Sequence, residues 1–348
     1  MKKLTKGIVI GSFTALGAAV AMGATSYSMT HSLINIAFDR KLRVTPSIKT
    51  KQLFSGCKEM EKIEMLCNEN ACHLEKGDCR RVEIRGNDGI RLVGHLHLSP
   101  HPKRTILAMH GWRTTWARDF GAVSAFWHKN NCNVLYAEQR GHGDSEGSFI
   151  SFGIAERYDC LNWIKWLNST EDIKDHPMYL CGVSMGAATV LMTTGFDLPE
   201  NVRGVIADCG FTSPHNVFKH VVNKNLHFPY SNFTVKDVDR VCKKRMKLCP
   251  SSYSTTEALK KCKIPVLFVH GTSDRFVPIQ MTYENYTACS APKRMFIVPG
   301  AEHGMCYFTD KDGYEKEMLR FWNDCESKYD TDEKGVYTTK KGLSQIKI

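Results

Sequence analysis

The residues of this chain best placed to do chemistry are Gly182-Val183-Ser184-Met185-Gly186. They follow an apolar run, Met178 to Cys181, that predicts a strand, and precede Ala187 to Met192, which predicts the first turns of a helix. Flanking glycines allow a sharp turn that leaves the serine Oγ standing clear of the sheet. The helix that follows aims backbone N–H groups and its positive end at any oxyanion formed there. A Gly-Ser turn of no chemical meaning is the plain alternative. A serine hydroxyl is a poor nucleophile until a base takes its proton, and the base needs a partner to fix its tautomer. Asp274, in His270-Gly271-Thr272-Ser273-Asp274, and His303, in Gly300-Ala301-Glu302-His303-Gly304, each lie just past a predicted strand. They are the candidate acid and base. Two backbone donors must face the tetrahedral oxygen. The Met185 N–H is one, and the Trp112 N–H, in the turn His110-Gly111-Trp112 after an early strand, is the second.

These residues need a frame that brings strand ends together. Apolar runs at Arg81–Arg85, Leu92–Leu98, Thr105–Met109, Asn133–Ala137, Met178–Val183, Gly204–Ala207, Val266–Val269 and Arg294–Val298 predict strands. Asn87-Asp88-Gly89 predicts a hairpin between the first two. Helical spacing marks Asp119–Lys129, Arg157–Leu167 and Tyr314–Asn323. The alternation predicts an α/β fold, a mostly parallel sheet covered by helices, with the loops at the strand C-termini building a site. Ser213–Cys262 breaks the rhythm. It has no good strand, but carries Phe218, Phe228, Tyr230, Phe233 and Lys243-Lys244-Arg245, and reads as a helical insertion covering the site.

The chain has 348 residues, 42% hydrophobic, enough for a substantial core and against global disorder. Its formal net charge of +11 suits an anionic membrane surface or a solvated basic exterior. No zinc-finger or RNA-recognition signature points to nucleic acid. After the basic Met1–Lys6, residues Gly7–Ala24 carry no charge, which suits a membrane span or a long signal peptide. Lysines before the span orient an uncleaved anchor with the domain outside, on the cell membrane; cleavage would make the protein secreted. Fourteen cysteines are many. In an exported domain Cys57, Cys67, Cys72 and Cys79 could close small loops by disulfides. Zinc with His73 is disfavoured because paired C-x-x-C arms are absent. The expected division is 1–30 signal anchor or signal peptide, 31–79 extension with the cysteine cluster, 80–328 catalytic domain with the insertion at 213–262, and 329–348 a fraying polar tail.

With these motifs in place the chain resembles the α/β-hydrolase-fold serine hydrolases. It is most similar to the membrane-anchored or exported bacterial branch near the serine-aminopeptidase-like, Bem46-like hydrolases. The resemblance is carried by His110-Gly111-Trp112, Gln139 to Ser145, Gly182 to Gly186, Asp208 to Ser213, His270 to Asp274 with Phe276-Val277-Pro278, and Glu302-His303-Gly304. It spans roughly Arg80 to Cys325, and the Cys57–Cys79 stretch has no counterpart in it. It implies a sheet of about eight strands and a Ser184/Asp274/His303 triad in the chain order Ser, acid, His. Asp208, ending a strand, is an alternative acid. Arg140, His142 and Asp144 are expected to brace the loop, and Glu302 to be exposed. His95, His97 and His101 are expected to face solvent by strand alternation rather than to bind metal. The implied reaction is acyl transfer needing no metal or organic cofactor, and the aromatic insertion favours an apolar acyl group. An ester hydrolase, a peptidase and a silent binding protein on the same fold are the readings carried forward.

Overall fold

A computed structural model describes residues 31, 32, 34–41, 60–227, 230–327, 329–331 and 337–339. Its centre is an eight-stranded sheet: β1 (Arg80–Arg85), β2 (Arg91–His97), β3 (Arg104–Met109), β4 (Cys132–Ala137), β5 (Met178–Val183), β6 (Val202–Asp208), β7 (Val266–Gly271) and β8 (Lys293–Val298), in spatial order 1-2-4-3-5-6-7-8. β1 pairs with β2, and β2 with β4, in antiparallel register; every later pairing is parallel. Gly89 turns the hairpin at a φ of 81°, which a side chain would strain.

Alternation along the central strands sends side chains to two cores. Ile106, Ala108, Val134 and Tyr136 face one, with helix α2 (Trp116–Lys129) and the last long helix (Lys311–Glu326) packed over them through Phe126, Trp127, Phe321 and Trp322. Leu107, Met109, Leu135 and Ala137 face the other, under α3 (Glu156–Ser169) and α4 (Met185–Thr193). Burying both faces leaves the strand ends as the place where loops can meet.

Two of the longer helices went unpredicted. Ile279–Ala288 lies between the Asp274 loop and β8. Helix α1 (Met60–Glu75) occupies the cysteine-bearing stretch. Its buried side includes Cys67 and Leu74, with Ala71 packed between them, the i, i+4, i+7 spacing of a helix stripe. Cysteine there acts as a small hydrophobe. α1 crosses α2 closely: a Cβ on Gly121 would come within 2.7 Å of the Asn70 backbone. The disulfide expectation fails for this cluster among the described residues. Cys67, Cys72 and Cys79 are free, Cys67 buried and Cys72 exposed on different sides of α1; Cys57 lies outside the described residues.

Between β6 and β7 the insertion is helical: α5 (Pro214–His220), a π-helical turn, α6 (Asn232–Met246) and α7 (Thr255–Leu259). In the tail, Tyr329–Thr331 pairs with Tyr337–Thr339, where fraying was expected. The Gly7–Ala24 segment lies outside the described residues, among which no helix is long and apolar enough to cross a membrane.

Candidate active site

β5 runs into α4 through Ser184, whose φ of 55° and ψ of −113° belong to neither element. Such a conformation costs of order 1–3 kcal/mol and persists only where its surroundings impose it. The surroundings here are backbone. A Cβ on Gly182 would overlap Gly186, and one on Gly186 would overlap the Met109 carbonyl. The Ser184 N–H donates to Asp208 O at 2.8 Å. Its hydroxyl caps nothing in α4, which leaves Oγ for another partner.

That partner is His303. Its Nε2 lies 2.8 Å from Ser184 Oγ, and its Nδ1 lies 2.7 Å from Asp274 Oδ2. The second Asp274 oxygen accepts from the N–H groups of Phe276 at 2.9 Å and Val277 at 2.8 Å. With Nδ1–H given to the carboxylate, Nε2 offers its lone pair to the serine, the tautomer a general base requires. β5, β7 and β8 each deliver one member, which is why the three gather although they lie far apart in the chain.

Burial opposes charge on both groups, and their pairing overcomes it. On Asp274 the desolvation is outweighed by the charge of His303 and by hydrogen bonds from His270 and His303, so its carboxyl is held well below the usual range. On His303 burial pulls downward, but Asp274, reinforced by the charges of Asp208 and Asp119, lifts the imidazole above its ordinary 6.5.

The expected oxyanion donors flank the nucleophile. Met185 opens α4 directly after it. A Cβ on Gly111 would lie 3.5 Å from the Ser184 Cβ, so the turn carrying Trp112 lies against the serine. Both neighbours of Trp112 are tied down: Gly111 N–H donates to Asp119 Oδ2 at 2.7 Å, and Arg113 N–H to His142 Nε2 at 3.0 Å. His110 is fully buried. It accepts from Gln139 N–H at 3.1 Å and donates Nδ1–H to Gly111 O at 2.8 Å, and burial, helped by the nearby His142, lowers it to about 3.

The bracing group divides. Arg140 grips Asp159 through two bonds at 2.6 and 2.7 Å and reaches Asp88 at 2.9 Å. His142, lowered by burial to about 4, receives Arg113 as above. Asp144 is exposed, its carboxylate reaching only the exposed Arg81 on β1, at 3.8 Å. Asp208 is buried, with its pKa raised by desolvation to about 6, but the His303 Nδ1 bond goes to Asp274. Glu302 is half-buried where exposure was expected. His95 and His97 are also half-covered, because α2 lies over that end of β2: His95 bonds Glu138 at 2.8 Å and stacks on Trp116, and His97 stacks on His128; His101 is exposed.

Sequence reasoning missed two supports. Asp119 also accepts from Thr114 Oγ1 at 2.8 Å, and its position in the first turn of α2 marked it only as a helix-end acid. His270 donates Nε2–H to Val277 O at 2.9 Å and accepts from Thr282 at 2.7 Å; it stood in the quoted motif without a role. The one set of ligand-type side chains that converges among the described residues, Cys209 with Asp274 and His303, already holds the Asp274–His303 pair.

Residues 118–328, more than half of the chain, match the prolyl oligopeptidase family. The chain belongs to the prolyl oligopeptidase family. The match encloses Ser184, Asp274 and His303 and begins after the Trp112 turn. Individual relatives are more distant. The uncharacterised protein YfhR of Escherichia coli is 28% identical over 254 residues, 69% of this chain and 79% of its own. The uncharacterised protein YqkD of Bacillus subtilis is 27% identical over 226 residues, 65% and 73% of the two chains. Protein bem46 of Schizosaccharomyces pombe is 24% identical over 220 residues, 62% and 67%, so the Bem46-like resemblance stands. In three dimensions the Pyrococcus furiosus esterase Pf2001 aligns with a TM-score of 0.59 at 19% identity, covering 71% of this chain and 91% of that one. Est1E from Butyrivibrio proteoclasticus, with ferulic acid bound, aligns at 0.56 and 17%, covering 69% and 99%. At such identities the likeness is one of fold. This member of the family is an α/β hydrolase, with the eight-stranded sheet expected of it.

Proposed function

We propose that the protein is a serine hydrolase that cleaves carboxylic esters through an acyl-enzyme, with Ser184 as nucleophile, His303 as general base and Asp274 as orienting acid. The observation that carries this reading is the unbroken chain Ser184 Oγ–His303–Asp274 at 2.8 and 2.7 Å. As Ser184 attacks the carbonyl carbon, His303 Nε2 takes its proton. The carbonyl oxygen becomes an oxyanion facing the Met185 and Trp112 N–H groups. Collapse expels the alcohol, which leaves with the proton from His303. Water, deprotonated by the same nitrogen, then attacks the acyl carbonyl and frees the acid and Ser184.

The acyl side is expected to be apolar. Met185, next to the nucleophile, and Val277, in the acid loop, belong to one buried cluster with Phe152, Phe211, Val217 and Val238, with Trp112 and Phe276 packed against it. The family name favours a second reading, a peptidase. A peptidase that takes a free N-terminus calls for acidic groups to receive an amine. The side chains packed beside Ser184 are instead the apolar ones just named, which supports the ester. An N-terminal membrane tether with the domain outside belongs to the same proposal, resting on the uncharged run Gly7–Ala24.

Short p-nitrophenyl esters and aminoacyl p-nitroanilides, offered side by side, test the assignment. Ester turnover that vanishes in Ser184→Ala is the expected result. Turnover of anilides alone would replace esterase by peptidase, and full turnover in Ser184→Ala would remove Ser184 from the chemistry.

A further inference from the structure

Residues 34–40 run along the outside of the site and meet the turn that carries the Trp112 N–H. The contacts are specific. Ala37 O accepts from the Trp112 indole at 2.9 Å. Ile36 O accepts from Arg113 Nη2 at 2.7 Å and Nε at 3.2 Å, and Asp39 O from Nη2 at 2.6 Å. Three backbone carbonyls, those of Ile36, Ala37 and Asp39, are thus spent on two side chains, Trp112 and Arg113. Arg113 itself sits at a φ of 54°, a strained conformation for a residue with a side chain, which must be held in place.

The segment is anchored at its other side. Asp39 bridges Phe149, Ile150 N–H donates to Phe38 O at 2.8 Å, and Arg40 N–H donates to Ser148 O at 3.0 Å. The Phe38 ring, buried, meets Phe152 edge-on at 5.4 Å and the cap residue Phe218 at 5.1 Å. Asn35 accepts from Arg245 of α6 at 2.6 Å. The strap therefore links the loop after β4, the cap and the oxyanion turn.

We propose that this strap, acting through Arg113 and the Trp112 indole, is a positioning element that sets the direction of the Trp112 N–H toward the oxyanion. The inference rests on the serine-hydrolase reading above. From inside the domain, Asp119 and His142 fix the N–H groups on either side of Trp112. From outside, the strap fixes the two side chains. Together they leave the turn one orientation. Because an oxyanion donor acts in the transition state and not on the bound substrate, a loosened strap lowers kcat and leaves KM near its starting value.

The test uses the full chain and counts competent active sites with a fluorophosphonate, so that kcat is expressed per labelled serine. Arg113→Ala is expected to lower that kcat about 10- to 100-fold, below the 10²–10³ of losing a donor outright, with KM within about twofold. Arg113→Lys, which keeps one donor for Ile36 O, regains part of the loss. Phe38→Ala, which loosens the anchor without touching the turn, lowers kcat in the same direction, and the double variant falls short of the product of the two single effects. Unchanged kcat per labelled serine in both single variants, with only a lower melting temperature or fewer labelled molecules, would make the strap a structural element alone and overturn the proposal. A wild type that takes no label overturns the parent reading and this one together.

Discussion

The triad end of the sheet and the cap beside it are built in different ways. Around Ser184 the chain is locked by its own backbone: Gly182 packs on Gly186, Gly186 on the Met109 carbonyl, and Asp274 takes two N–H groups from the loop it begins. In the cap the contacts are side chains on helices, and a large ring such as Phe233 stands 81% exposed. Backbone contact tolerates almost no change, whereas side-chain packing adapts. The first region can therefore hold reacting atoms to a few tenths of an ångström, and the second can vary in shape to suit an acyl group. Chemistry belongs to the first and specificity to the second.

The sharpest break of that comparison is Asp274→Asn. It keeps the shape but presents the wrong hydrogen-bonding partner to His303, and kcat should fall by about 10³ to 10⁴. The pH profile gives a second reading of the same residue. A base works only when neutral, and His303 is held above 6.5 chiefly by Asp274 working against burial. The wild-type kcat/KM should therefore rise with pH through a midpoint above 6.5, and in Asp274→Asn that midpoint should move down. A midpoint unmoved by the substitution would show that the two side chains are not coupled.

Next in size is Arg140→Ala, measured as stability. It strips both bonds from Asp159, whose side chain is 2% exposed, and breaking such a buried pair costs about 3–5 kcal/mol. A urea midpoint shift worth less than about 1 kcal/mol would mean that the loop after β4 stands without it. Phe218→Ala, in the cap, should raise KM for long-chain esters about threefold to tenfold while leaving short ones alone; equal effects on both chain lengths would deny the cap its role in specificity. Phe233→Ala should change stability by less than about 0.5 kcal/mol, and a larger loss in the urea midpoint would reveal a packing partner that the exposed ring does not show.

How much of this was legible follows the same division. The strands of the sheet alternate or run apolar, and several close on a Gly, His or Asp at or just past their ends, as at His110, Asp208 and Gly271, so their ends, and with them Ser184, Asp274 and His303, could be placed from the strand pattern and the motifs together. Helix α1 was not legible, because its stripe of Cys67, Ala71 and Leu74 looked like part of a disulfide framework. Cysteine serves equally as a bridge and as a small buried side chain, and spacing does not separate the two uses. Asp119 and His270 were invisible as supports because each acts by hydrogen-bonding the turn that carries a site residue, which residue type and spacing do not announce. The strap was invisible for a related reason: its carbonyls do the holding, and every residue type has a carbonyl. His95 looked solvent-facing by strand alternation, which cannot report that a helix lies over that end of the sheet.

The central claim is that Ser184 is the activated nucleophile, and the most direct test is intact-mass and peptide mapping after treatment with a fluorophosphonate at neutral pH. One adduct per chain is expected, carried by Ser184, and none in Ser184→Ala. An adduct on another residue, or the same yield in Ser184→Ala, would contradict it.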